Sequence, residues 1–236
     1  MKILTIDIDY ISGQSFELLS LLQGLREIPD HTRNKHYWDR IIQEAGVIER
    51  YLEPNLHNVR FINSVFYQAV RGGCKNIVFG YHHDSILNHI SDDARDITLV
   101  NIDHHHDLAH TRNHEFEGLR LGFYAEYNWV LKLEHRLDNY YWIKNKNSGK
   151  FRLGQLPYNY VEATKEDERI VKVLDDIDDW DLIYVCLSPH NTPPNQWHYF
   201  WLMKETYEIL TGQTVTFETE YYEKDQTHFD TENKLL

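Results

Sequence analysis

Cysteine is nearly absent. Cys74 and Cys186 are the only two in 236 residues, and neither sits in a C-x-x-C spacing, so a reduced, cytoplasmic protein is expected. Long apolar runs are missing too: none approaches the roughly 18 residues of a membrane-spanning helix, so no membrane partner is expected. The opening MKILTIDID puts Asp7 and Asp9 where a signal peptide needs its apolar middle, which argues against export by that route. Basic residues are few, 24 against 37 acids, for a net charge of −13. That balance is wrong for a nucleic-acid binder, which tracks phosphates with a basic face. It suits a cationic substrate or partner better, although solubility alone is the plainer account of the charge. The acid excess peaks between Glu162 and Asp181, with nine acids against three bases. What is plentiful is core material: 42% hydrophobic and 14% aromatic residues exclude disorder as a whole-chain reading. A single domain over 1–236 is expected, with 213–236 as an edge strand, hairpin or tail.

Four short apolar runs read as buried strands: Lys2 to Ile6, Asn76 to Gly80, Ile97 to Ile102 and Leu182 to Leu187. Asp138 to Lys144 is a further candidate. Near-continuous Val/Ile/Leu runs separated by amphipathic segments predict parallel strands with helical crossovers. Asp39 to Glu53, Arg60 to Val70, Leu119 to Leu133 and Trp197 to Leu210 are the expected helices. Asn145 to Tyr160 reads as loop. The fold class is therefore α/β, a three-layer α/β/α arrangement on a mostly parallel sheet.

The strand ends carry the chemistry. Lys2–Ile6 runs into Asp7-Ile8-Asp9, Asn76–Gly80 into Tyr81-His82-His83-Asp84, and Ile97–Ile102 into Asp103-His104-His105-His106-Asp107. Eight of the 15 histidines fall between His82 and His114. Ligands of open parallel sheets bind outside the carboxyl ends of strands. Asp7 and Asp9 share a side of an extended segment, as do Asp103, His105 and Asp107. With His83 they make six potential metal ligands. Four carboxylates match two divalent cations, and without metal their mutual repulsion and burial would be costly. Oxygen-rich ligation with some imidazole favours manganese, or ferrous iron, over a thiolate-type zinc site. Two such ions about 3.5–4 Å apart can generate and hold a hydroxide nucleophile.

These residues resemble the ureohydrolases, the family of arginase and agmatinase. Asp103-His104-His105-His106-Asp107 matches their D-A-H-x-D motif at all three ligand positions. Gly80-Tyr81-His82-His83 is similar to their G-G-D-H, and Thr5-Ile6-Asp7-Ile8-Asp9 to their S-x-D-x-D. The order differs, since the D-x-D strand opens this chain instead of coming late. That looks like a circular permutation, similar to the branch that contains the peptide arginases, which convert arginine to ornithine within ribosomal peptides. The resemblance implies an arginase-like, circularly permuted fold and two manganese ions. Asp103 and Asp7 would bridge them, His83 and Asp107 would complete one, and His105 and Asp9 the other. It implies Asp107 as the group that orients the nucleophile and passes a proton to the leaving amine. An arginine-containing peptide is then the expected partner.

Other positions follow less directly. Arginases hold the guanidinium with an acid near the end of a late strand, where Ser188 to Pro194 offers His190 instead. Asp84, Glu115, Glu117 and Glu126 are the alternatives for that anchor. His190 is a candidate for proton transfer or for shaping the pocket. His104, His106 and His110 are candidate donors or proton carriers, with His106 expected to point away from the ligands. Glu126, Asn128 and Trp129 are expected near the substrate, Trp129 being otherwise a core residue. Competing readings are a ureohydrolase of free arginine or agmatine, an Asp-His-His phosphoesterase, a non-catalytic metal-binding module and a single-zinc amidohydrolase. The phosphoesterase fits the charge of −13 poorly, and a single zinc would need only Asp103, His105 and one further acid, so the Asp7/Asp9 pair with His83 argues for two ions. Oligomeric state is left open.

Overall fold

The computed structural model describes residues 1–12, 53–74, 76–108, 129–148, 156–176, 179–188 and 192–218. Seven strands among them form one sheet: β1 (Lys2–Asp7), β2 (Ile77–Gly80), β3 (Ile97–Asp103), β4 (Leu137–Lys144), β5 (Asn159–Ala163), β6 (Leu182–Cys186) and β7 (Thr216–Glu218). Their order is β5-β4-β3-β1-β6-β2-β7, and every strand pairing is parallel. The α/β/α class expected from the sequence is the one observed.

Alternation along each strand builds the two faces. Leu4, Ile6, Val100, Ile102, Ile183 and Val185 pack on one side. That side is covered by helices α1 (Leu56–Arg71), α2 (Glu168–Asp176) and α3 (Trp197–Thr211). Asn55 starts α1 by accepting from the backbone N–H groups of His57 and Asn58, and Val59, Ile62, Phe66 and Ala69 form its buried stripe. Gly212 ends α3 in the left-handed conformation at φ 67°, where its N–H reaches the Glu208 carbonyl. On the opposite face lie Ile3, Leu99, Tyr140, Trp142 and Tyr184. Two runs of 3-10 turns cover them, His83–His89 and Trp129–Arg136.

Several expectations need adjustment. Trp129–Arg136 is 3-10 and not the end of an α-helix; its buried Val130 and Leu133 are three apart, which suits i→i+3 winding. The rest of that expected helix, like Asp39 to Leu52, lies outside the described residues. The 145–160 loop gives way to β5 at Asn159, a short edge strand with little apolar content. α2 was hidden in the acid-rich stretch, and of its residues only Ile170 is completely buried. Thr216–Glu218 does form an edge strand, parallel to β2.

Register then sets the rim. Asp7 and Gly80 both stand opposite Cys186, and Ile6 stands opposite Ile102, one residue before Asp103. The carboxyl ends of β1, β2, β3 and β6 are therefore level. The chain leaves β1 for β2 on one side and returns to β3 on the other, so β1 borders the point where ligands settle in such sheets.

Candidate metal centre

Asp7 is the last residue of β1. Its Oδ1 accepts from the Asp9 N–H at 3.1 Å and caps a 3-10 turn over Ile8–Ile11. Asp7 and Asp9 thus converge by turning, not by strand alternation. The same holds after β3, which ends at Asp103. His105 N–H donates to Asp103 Oδ1 at 2.8 Å and His104 N–H to Asp9 Oδ1 at 3.2 Å. Asp107 takes a left-handed φ of 51°, rare for a residue with a side chain. The Trp142 indole and the Tyr140 hydroxyl tie the loop down through the carbonyls of Asp103 and His106.

Among the described residues two groups of ligand atoms result, each with its members within 4.8 Å of one another: Asp7, His83 and Asp103, and Asp9, Asp103 and His105. Asp103 belongs to both, whereas Asp7, which the resemblance implied as a second bridge, belongs to one. His83 Nδ1 lies 3.4 Å from Asp7 Oδ2 and 3.1 Å from both Asp103 Oδ2 and Asp107 Oδ2. His105 Nδ1 lies 2.9 Å from Asp9 Oδ2 and 3.8 Å from Asp103 Oδ1. The other ring nitrogen of His83, Nε2, finds no hydrogen bond among the described residues. Buried carboxylates and imidazoles crowded to ion-pair distance are what a cation site presents. All of these residues are buried except His105, whose side chain is 24% exposed and marks the open side.

The electrostatics agree. Burial first, then the charge of Asp9, raises the pKa of Asp7. Burial and Asp103 do the same to Asp9. Burial, with Asp107 and Asp7, pushes Asp103 up to about 7. Burial works against charge on the two imidazoles, but the carboxylates outweigh it. His83 is raised well above its ordinary value by Asp107, Asp103 and Asp7, and His105 rises to about 9 beside Asp9. The cluster holds protons where divalent cations would satisfy it better. An oxygen-rich set with two imidazoles fits a hard or borderline divalent ion. This buried Asp/His cluster can hold metal.

The remaining candidates fall as follows. Asp107 Oδ2 stands beside His83 but outside both ligand groups, and it accepts from Trp129 Nε1 at 2.6 Å and Asn101 Nδ2 at 3.4 Å. Trp129 is fully buried with its ring 5.0 Å from that of His83, so it positions both residues from inside. His104 is buried with Nδ1 lacking a hydrogen-bond partner among the described residues; burial and His105 lower its pKa to about 3, so it stays neutral. His106 faces away: its ring packs on Trp142 and Nδ1 accepts from the Leu108 N–H. His110, Glu115, Glu117, Glu126, Asn128 and His190 lie outside the described residues, and Asp84 lines a cavity of about 330 Å³ with Tyr81, His82, Lys132 and Glu218.

Sequence reasoning missed the supporting residues. The Ser188 hydroxyl donates to Asp7 Oδ2 from a left-handed backbone at φ 45°. Tyr184 stacks within 9° of the His83 ring plane and donates to the His82 carbonyl. Asn101 donates toward Asp103 and Asp107. The available signal was parity: Thr5 and Asn101 are polar residues inside apolar strands, each two positions before a ligand. No family model, curated protein or solved structure matches the chain. The centre is therefore read from its own geometry.

Proposed function

We propose that the protein is a dimanganese hydrolase that converts arginine side chains within a peptide to ornithine, releasing urea. The observation that carries this reading is the single carboxylate of Asp103 shared by two ligand groups, at the carboxyl rim of a parallel sheet. The resemblance of the three rim motifs to ureohydrolases supplies the substrate class. Ferrous iron satisfies the same ligand set.

Guanidinium is resonance-stabilised, stays cationic in proteins and is a poor electrophile. When bound, a pair of divalent cations supplies the charge that makes hydroxide available near neutral pH. The chain's own residues supply the rest. Asp7, Asp9, His83, Asp103 and His105 form the two cages. Asp107, fixed by Trp129 and Asn101, moves the proton to the leaving amine. His104 is a neutral imidazole whose Nδ1 has no hydrogen-bond partner among the described residues, suited to hydrogen bonding at the site without adding charge. The net charge of −13 favours a cationic side chain over a phosphate. Water adds to the guanidinium carbon, the C–N bond to the side chain breaks, and urea leaves with the amine protonated.

Incubation with manganese and an arginine-containing peptide is expected to release urea and lower the peptide mass by one CH2N2. Free arginine and agmatine in parallel assays separate the peptide preference from a general ureohydrolase. No urea from any of the three sinks the reading, and release of phosphate from an ester would replace it.

A further inference from the structure

One buried amide touches the carboxylate common to both ligand groups and also its neighbour. Asn101 Nδ2 lies 3.3 Å from Asp103 Oδ2, 3.4 Å from Asp107 Oδ2 and 3.1 Å from Tyr140 Oη. The Tyr140 proton is directed to the His106 carbonyl at 2.8 Å, so toward Asn101 that hydroxyl is an acceptor. Thr5 Oγ1 donates to Asn101 Oδ1 at 2.5 Å. With the oxygen engaged there, the nitrogen of the same amide must face the carboxylates. The contact is imposed by register, since Thr5 and Asn101 are partners across β1 and β3. Thr5, Asn101 and Tyr140 are fully buried.

A polar pair inside two apolar strands is costly unless every group is satisfied, and here each atom has a partner. A neutral donor is also the right chemistry. It orients a carboxylate without the positive charge that a lysine or arginine would set in competition with a cation. We infer that Asn101 is a positioning residue for the metal centre. It fixes Asp103 and Asp107 relative to each other, and Thr5 fixes the direction of Asn101. The inference rests on the proposed metal centre but not on the reaction assigned to it.

The test is manganese binding by the full chain, followed by calorimetric titration and by the spin-coupled paramagnetic resonance signal of paired ions. Asn101→Leu is expected to bind roughly 10–100-fold more weakly, the usual cost of losing an outer hydrogen bond to a ligand, and to lose the coupled signal. Thr5→Val, nearly isosteric and milder for folding, is expected to weaken binding by roughly tenfold or less, with Thr5→Ser restoring it. Because Thr5 acts through Asn101, the double variant Thr5→Val/Asn101→Leu is expected to bind no worse than Asn101→Leu alone. A merely structural role would make the two losses add and leave the spin coupling intact, and that result overturns the inference. Parent-like manganese binding by Asn101→Leu or Thr5→Val overturns it alone. A parent that takes up no manganese overturns it together with the metal centre, whereas a parent that loads two ions and releases no urea overturns only the reaction.

Discussion

Removing the Asp103 carboxylate takes an oxygen from both ligand groups at once, whereas removing that of Asp9 takes one from a single group. Asp103→Asn is therefore expected to fall below one tightly held metal equivalent per chain. Asp9→Asn should retain about one, and Asp7→Asn likewise. Elemental analysis after gel filtration counts them, and two retained equivalents in Asp103→Asn would contradict the sharing. Turnover should drop in all three by more than the 10–100-fold typical of an outer-layer change. His106→Ala makes the contrast, because that ring packs on Trp142 away from the ligands, and its metal content should match the parent. The ligand types were legible in the sequence because Asp and His after an apolar run are chemically unusual. Their supporters were not. Ser188 needs a left-handed backbone and Asn101 needs a cross-strand partner, and neither requirement leaves a motif.

At the scale of elements, β2 delivers His83 only because of how it ends. A Cβ on Gly80 would lie 2.0 Å from Tyr184 Oη and 2.9 Å from its Cζ. That hydroxyl crosses the glycine to reach the His82 carbonyl, and the tyrosine ring lies parallel to His83. Gly80→Ala is thus expected to displace Tyr184 and, with it, the His83 ligand. Overpacking of this kind costs about 1–3 kcal/mol. A lower melting temperature joined to weaker manganese binding is the expected pair of results; unchanged values of both would show that Tyr184 has room to move. Strands were easier to read than the segments that follow them. Apolar runs specify β1, β2, β3 and β6 directly. Past the last registered residue parity lapses, which is why Asp9 arrives by a capped 3-10 turn. β5 escaped because an edge strand buries too little to leave a period, and α2 because the surrounding acids obscured the helical spacing of Ile170, Val173 and Leu174.

For the whole molecule, the charge balance and the buried cluster act in the same direction, and pH exposes it. In the metal-free protein His105 titrates near 9 against an ordinary 6.5, raised by Asp9 despite burial. A histidine raised on folding contributes stability that is fully present below 6.5 and is lost as pH climbs through 9. His104 and His106 are shifted the other way, to about 3 and about 4, chiefly by burial. Their contribution is present above 6.5 and is lost as pH falls, so between pH 7 and 9 they change nothing. Asp103, near 7, is half deprotonated at the lower end of that window and loses the rest of its share just above it, in the same direction as His105. Each proton that the folded state alone holds makes a slope of about 1.4 kcal/mol per pH unit. The melting temperature of chelator-treated protein is therefore expected to fall from pH 7 to 9. Saturating manganese should reverse the trend, because the ligands bind metal only after losing those protons. At a free metal concentration 100-fold above the dissociation constant, binding adds about 2.7 kcal/mol. Thermal melts at pH 7, 8 and 9, with and without manganese, read both slopes. A chelated protein that grows more stable toward pH 9 would mean that the cluster is not storing protons in place of cations.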